Sequence, residues 1–287
     1  MTASQPGADR IGEATVRRYL DPRNDVLVTL GDFGSLYAAY REHVRRWEAE
    51  PDGFSATLMR QGLGAAVLHL SSRPPGESVG WTIHVHRPAT NLFLTGDSGE
   101  ATVTGRVFTE GVRPSTASRM YVQSSRTRGG PSESTVDVQG VDILEMFEQY
   151  YERSEQLPAR FFEVDDDRFL MVLALPEAEG EWVRSLTREA AVSLTDQDLK
   201  PLGEATYVFR CGCNLERMLD VVRGMFGDDP EDLFQGEGGV EIYCPRCGHR
   251  WWLDREAFED VDDGTASDDD ADGGASAGEA EAGGEPR

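Results

Sequence analysis

The chain has 287 residues, and its formal net charge of −24 at pH 7 makes it strongly acidic. This excess argues against nucleic acid and anionic membrane surfaces as partners, because both are negatively charged themselves. No apolar run approaches the roughly 18 residues of a membrane span, so no membrane partner is expected. Residues 1–10 lack the basic and apolar regions of a secretory signal. We therefore expect a cytoplasmic protein, whose four cysteines bind metal or sense redox state rather than form stable disulfides.

The first elements along the chain are a predicted strand and two predicted helices. Residues 26–30 form a short apolar and β-branched run, which favours a strand. Asp32 is placed to cap a helix over 33–47. The apolar face of this helix would be formed by Leu36, Tyr37, Tyr40 and Val44. A second helix is predicted over 55–70, although two glycines weaken it, and a Pro-Pro-Gly turn ends it.

Strand patterns dominate from position 79 to position 138. Residues 81–86 alternate strictly between apolar and polar side chains, as a half-buried strand does. Further strands are predicted over 91–94, 101–108, 120–123 and 134–138. A helix over 143–155 and an apolar strand over 168–175 follow. Helices flanking a largely antiparallel sheet indicate an α+β domain, which we place over 11–176.

The last third of the chain divides into three predicted parts. Residues 177–204 indicate a linker with one amphipathic helix. The apolar stripe of that helix is Trp182, Val183, Leu186 and Ala190. Residues 205–258 form a small cysteine-bearing module with helices over 215–226 and 230–234. Residues 259–287 are rich in Asp and Glu and contain no aromatic residue, which predicts a disordered, solubilising tail; a specific docking tail is the alternative.

The four cysteines lie in two close pairs, Cys211-x-Cys213 and Cys244-x-x-Cys247, with thirty residues between the pairs. This arrangement suits one tetrahedral zinc ion with four thiolate ligands, because each pair lies on a tight turn and a loop joins the turns. The first pair is unusual. When oxidised, a C-x-C closes a small, strained ring, and strained disulfides tend to be the labile ones. We therefore predict one zinc per chain in the reduced state, at a site that can act as a redox switch as well as stabilise the fold.

A second motif lies upstream of the cysteines, where residues 150–158 read Tyr-Tyr-Glu-Arg-Ser-Glu-Gln-Leu-Pro. Together with the cysteine spacing, it closely resembles the 33-kDa heat-shock chaperonin family of redox-regulated holdases. In that family a similar helix end precedes a strand, as it precedes residues 161–163 here. The cysteine module is similar further at Arg210, 241–243 and 252–254, and Asn214 stands where the family usually has a serine. The resemblance covers mainly residues 140–260.

The resemblance implies a molecular chaperone rather than an enzyme. The chain would be zinc-bound and inactive when reduced; under oxidative stress it would lose the metal and hold unfolded client proteins. The implied redox-active disulfides are Cys211–Cys213 and Cys244–Cys247. Apolar surface on the 11–176 domain and on the linker would bind clients, and the 11–176 domain would also form the homodimer implied for the oxidised form. In the family the linker unfolds on oxidation, and the corresponding stretch is shorter here.

Several residues admit another interpretation. The cysteines could hold zinc permanently, in a constitutive zinc-ribbon interaction module without redox switching. His84 and His86 share one face of a strand, but no third ligand is evident, and we interpret them as solvent-facing. His249 is interpreted as a neighbour of the metal site. The core of the module is predicted to contain Leu215, Leu219, Phe226, Trp251 and Trp252. The sequence has no nucleophile–base, phosphate-binding or metalloprotease motif, so no catalytic residue is predicted.

Overall fold

The structure is a computed structural model. It describes residues 12–47, 51–126 and 130–259. The chain divides into two units: residues up to 218 with 242–251 form the first, and residues 219–241 with those from 252 onward form the second. The tail predicted over 259–287 lies outside the described residues, apart from Glu259. No helix of the described segments is long and apolar enough to cross a membrane.

Ten strands of the first unit form one sheet. In chain order they are β1 (Glu13–Asp21), β2 (Val26–Asp32), β3 (Glu77–Val85), β4 (Thr90–Asp97), β5 (Thr102–Phe108), β6 (Ser118–Arg126), β7 (Ser132–Val138), β8 (Ala159–Glu163), β9 (Arg168–Ala174) and β10 (Lys200–Phe209). The spatial order is β7-β6-β3-β4-β5-β10-β1-β2-β9-β8. Neighbours run antiparallel except β5 and β10, which are parallel. The predicted α+β class with a largely antiparallel sheet is confirmed.

The helices of the first unit flank this sheet. They are α1 (Gly34–Trp47), α2 (Gly53–Ser72), α3 (Ile143–Tyr150), α4 (Gly180–Ser185) and α5 (Arg188–Leu194). Asp32 was predicted to cap α1; its Oδ1 accepts from the Gly34 amide at 3.2 Å, while the Phe33 carbonyl, one residue later, accepts the first helical bond from the Tyr37 amide. The helix predicted over 143–155 is α3 followed by a π-helical turn, Tyr151–Glu155, which ends at Gln156 in the left-handed conformation.

The central helix α2 is buried along most of its length against the sheet. The two glycines that weaken its prediction lie where sheet side chains approach it most closely. A Cβ at Gly64 would lie 3.0 Å from the ring of Phe169, and one at Gly62 would lie 2.9 Å from Leu92. These glycines therefore allow a close helix–sheet contact, which compensates for their low helix propensity.

A second apolar cluster covers the other face of β2 and β9, under α4 and α5. The prediction of a single amphipathic helix in this stretch is wrong. Thr187 caps α5, since its Oγ1 accepts from the Ala190 amide at 3.2 Å. The backbone is extended between the two short helices, with ψ of 127° at Leu186 and 163° at Thr187. Ala190 is exposed, and Ala191 occupies the buried position instead.

The strands β1 and β10 have no counterpart among the predicted elements. The first five residues of β10 are exposed, so the strand lacks the apolar alternation that marks a half-buried strand. Backbone pairing with β1 and β5 holds it in the sheet. β10 runs through position 205, where the cysteine module was expected to begin; the domain limits themselves remain predictions.

The loop between the cysteine pairs and the residues after them carry the last elements of the chain. These are α6 (Leu215–Phe226), α7 (Pro230–Phe234), β11 (Gly239–Tyr243), β12 (Arg250–Asp254) and α8 (Arg255–Glu259). β11 and β12 form a two-stranded sheet. Both predicted helices of the module, over 215–226 and 230–234, are present.

The core of the second unit differs from the prediction. It contains Phe234, Leu253 and Phe258, and the two phenylalanine rings meet edge to face with centroids 5.5 Å apart. No residue of α6 is buried, so Leu219 and Phe226 are not core residues, and neither is Leu215. Trp252 is 63% exposed, because alternation along β12 turns the next residue, Leu253, inward.

Candidate metal centre

The first cysteine pair follows directly from the large sheet. Two backbone hydrogen bonds fix the chain just before Cys211: the Phe209 amide donates to Gly12 O, and the Arg210 amide donates to Val103 O, each at 3.0 Å. After Cys213, the chain enters α6, where Asn214 Oδ1 accepts from the Arg217 amide at 2.8 Å. The pair therefore lies on a short segment held by a strand on one side and a capped helix on the other.

The second pair lies on the turn between β11 and β12, which we call the knuckle (residues 244–249). The Gly248 amide donates to Cys244 O at 2.9 Å, and the Cys244 amide donates to His249 O at 2.8 Å. Gly248 has a φ of +78°, a conformation that side chains with a Cβ rarely adopt. The turn therefore needs a glycine at position 248.

The structure brings all four predicted ligands together. One ligand atom from each of Cys211, Cys213, Cys244 and Cys247 lies within 4.8 Å of every other. The sulfurs of Cys211 and Cys244 are 3.8 Å apart, and those of Cys213 and Cys247 are 3.6 Å apart. The second pair is buried and the first is partly exposed. A sulfur cluster of this kind is compatible with a metal ion.

Crowding of the sulfurs affects their ionisation. Hydrogen bonding with Cys211 is the main cause that lowers the pKa of Cys244 and raises the pKa of Cys247. Hydrogen bonding within the first pair likewise lowers the pKa of Cys211 and raises the pKa of Cys213. One member of each pair thus favours the thiolate, which is the form that binds metals and reacts with oxidants.

A family model described as the Hsp33 protein matches residues 35–254. This chain belongs to the Hsp33 family. The 33 kDa chaperonin of Ectopseudomonas mendocina is 30% identical in an alignment of 158 residues that covers 45% of this chain and 53% of that protein. The 33 kDa chaperonin of Nitrosococcus oceani is 25% identical in an alignment of 153 residues that covers 46% of this chain and 53% of that one. These matches span about half the length of the relatives.

The Hsp33 fold is also found among solved structures. The crystal structure of the 33 kDa chaperonin (heat shock protein 33 homolog) of Thermotoga maritima superposes with a TM-score of 0.66. It covers 86% of this chain and 97% of the other, at 16% sequence identity. At that identity the likeness supports a common fold, and the arrangement of the cysteines must be argued from this chain itself.

The remaining candidate residues have other partners. His84 and His86 are partly buried rather than solvent-facing, and His84 Nδ1 lies 2.7 Å from Asn91 Oδ1. His249 is outside the four-cysteine cluster, and its ring stacks on Trp251 with a centroid separation of 4.2 Å. Trp251 therefore packs beside the metal centre, although it does not belong to the core of the second unit.

Sequence reasoning missed the part of α1 that lies against the cysteines. His43 Nε2 is 2.9 Å from Cys247 O, and the ring of Trp47 stacks on that of His249. Neither residue was among the candidates. Their spacing of four residues was an available signal, because it places both side chains on one face of the predicted helix.

Proposed function

We propose that this Hsp33-family chain is a redox-regulated holdase, a cytoplasmic chaperone that binds zinc when reduced and unfolded client proteins when oxidised. The observation that carries the proposal is the meeting of four thiol sulfurs from two segments that are thirty residues apart. The relatives named as chaperonins support the client-binding role. We further propose that the oxidised form dimerises, as the family resemblance implies.

Zinc fits this donor set. Thiolates bound at about 2.3 Å around a tetrahedral zinc ion lie about 3.8 Å from one another. The two measured sulfur separations, 3.8 and 3.6 Å, are close to that value. Cys211, Cys213, Cys244 and Cys247 would together hold one ion, with no coordination position left for a substrate. Bound zinc would keep the sulfurs deprotonated and would add to the folding free energy of the module.

Oxidation would convert the four thiols into two disulfides. Each disulfide forms when a pair of thiols loses two protons and two electrons, which one hydrogen peroxide takes up to give two water molecules. We propose the local pairs Cys211–Cys213 and Cys244–Cys247, because only these disconnect the two segments. A Cys213–Cys247 disulfide, between sulfurs that lie 3.6 Å apart, would keep the segments joined.

Loss of the metal centre would expose apolar surface. The four cysteines close the base of the loop over 214–243, and a unit of this size has a small core. Phe234, Leu253 and Phe258 are at most 4% exposed in the folded form. Opening the base of the loop would destabilise this core and present it to unfolded clients, whose own exposed apolar segments it would bind.

A peroxide titration with a zinc indicator tests this proposal. We expect metal release in step with thiol loss, and peptide mapping of the oxidised chain should find the two local disulfides. Retention of the metal under peroxide would instead favour the constitutive zinc-ribbon module. Cross-segment disulfides would reject the proposed pairing.

A further inference from the structure

The knuckle is in contact with one face of α1. His43 and Trp47 are four residues apart on that helix, so their side chains lie on the same side. Because the Cys247 carbonyl can only accept, His43 must donate its Nε2 proton in the 2.9 Å hydrogen bond. The ring of Trp47 stacks on His249 with centroids 4.1 Å apart and an interplanar angle of 25°. His249 is thus sandwiched between Trp47 and Trp251.

The same helix face also contacts the segment of the first cysteine pair. Phe209 is two residues before Cys211, and its ring centroid lies 5.7 Å from those of Tyr40 and His43. α1 is therefore in contact with both cysteine-bearing segments. His43 touches both at once, through its ring on one side and its Nε2 on the other.

A cavity of about 540 Å³ lies beside the contact between α1 and the knuckle. Its lining includes Tyr40 and Val44 of α1 and Tyr243 and Arg250, which flank the knuckle. The contacts beside this cavity include the His43 hydrogen bond and the stacked rings of Trp47, His249 and Trp251, so they border open space. Such a contact can hold the turn in place while the sulfurs are clustered, and it can open without unfolding the sheet.

We propose that His43 and Trp47 form a latch that retains the knuckle on α1 and thereby sets how readily the four-cysteine cluster comes apart. The inference rests on the proposed function in taking this cluster to be the metal and redox site. The latch slows separation of the two cysteine segments in the thiol form. Once local disulfides form, no metal ion joins the two cysteine segments. The latch alone does not retain the knuckle, and Trp47 is released.

The test uses the full chain in reducing buffer with no oxidant, so that it does not depend on switching. Zinc loss to an excess of chelator is followed in Trp47→Leu and His43→Leu, and Trp182→Leu, in α4, is the matched control for removal of a tryptophan. We expect Trp47→Leu to lose zinc on the order of tenfold faster than the parent, as expected for loss of the ring stack on His249. His43→Gln, which can still donate to the Cys247 carbonyl, should remain close to the parent.

A second readout is independent of metal. In chelator-treated protein, the rate of alkylation of each cysteine is measured by peptide mapping. Cys244 and Cys247 are 2% and 3% exposed, so opening of the latch should accelerate their alkylation specifically. If Trp47→Leu loses zinc and is alkylated no faster than Trp182→Leu, the latch proposal is wrong. The proposed redox function would still stand in that case, provided that peroxide releases zinc from the parent. If Trp47→Leu does not fold, the difference between His43→Leu and His43→Gln decides.

Discussion

Tyr151 and His69 are joined by a buried hydrogen bond, with 2.9 Å between the tyrosine hydroxyl and His69 Nδ1. The tyrosine belongs to the motif over 150–158, and the histidine lies in the last turn of α2. Nearby, Tyr150 donates to Glu155 at 2.6 Å, and Arg73 bonds the same carboxylate at 2.8 Å. The motif therefore ties the end of α2 to the π-helical turn after α3, which gives it a structural role.

His69 should make the stability of the first unit depend on pH. Burial, and then the nearby charges of Arg73 and Arg126, lower the pKa of His69 from 6.5 to about 3. Between these values the unfolded chain binds a proton at this site that the folded chain does not. The free energy of unfolding should therefore fall as the pH drops from about 6.5 towards 3, by roughly 1.4 kcal/mol per pH unit.

Urea unfolding of the parent and of His69→Asn between pH 7 and pH 4 measures this effect. The variant lacks the titrating ring, so its stability should decline less steeply with falling pH, whatever its stability at neutral pH. Ligand protonation at the metal centre affects both proteins equally and cancels in the comparison. Parallel pH profiles for the two proteins would show that His69 does not carry the dependence.

A methyl group at Gly64 should destabilise the fold despite its better helix propensity. The added Cβ would lie 3.0 Å from the fully buried ring of Phe169, which itself packs edge to face on Phe33. We expect Gly64→Ala to lose about 1–3 kcal/mol of unfolding free energy. Gly53→Ala is the matched control in the same helix, because nothing lies within 4 Å of its added Cβ. Urea denaturation of both variants should separate them, and equal stabilities would contradict the close-packing account of α2.

Zinc binding should need the first cysteine pair as much as the second. Cys211→Ser replaces a soft sulfur ligand by a hydroxyl that does not ionise at neutral pH, so the variant should bind zinc at least tenfold more weakly. Metal analysis after reducing purification and a competition titration with a chelator give the measurement. Parent protein with less than half an equivalent of zinc, or a variant that binds as tightly as the parent, would argue against the four-thiolate site.

Removal of residues 262–287 should leave zinc content and melting temperature unchanged. The segment has no aromatic residue. Apart from glycine, alanine and proline, all its residues are charged or carry a hydroxyl group. A chain of this composition has too little apolar surface to contribute to a core. A large drop in melting temperature on truncation would favour the docking-tail alternative.

The sequence predicted those parts of the fold that depend on residues close together along the chain. Strict alternation identified β3, and the cysteine spacing alone identified the four residues that meet in the sulfur cluster. β10 was missed because its pairing with β1 and β5 is a long-range backbone contact without an apolar signature. Trp252 was misplaced because apolar residues beside the cysteines were expected to form the core of the module, whereas alternation along β12 turns Trp252 outward. The spacing of His43 and Trp47 places both side chains on one face of α1, but the partner of that face is set by the tertiary path of the knuckle, which no local pattern encodes.

The central claim is that metal release and client binding are one event. Its most direct test follows zinc release and the suppression of aggregation of a chemically unfolded client in the same peroxide-treated sample, with thiol reduction afterwards. We expect both signals to rise together and to reverse together on reduction with zinc present, because in the proposed mechanism oxidation would open the site whose closure would keep the apolar core folded. Zinc release with aggregation suppressed no better than by the reduced protein would contradict the account, and full suppression by the reduced, zinc-loaded chain would show a constitutive holdase instead.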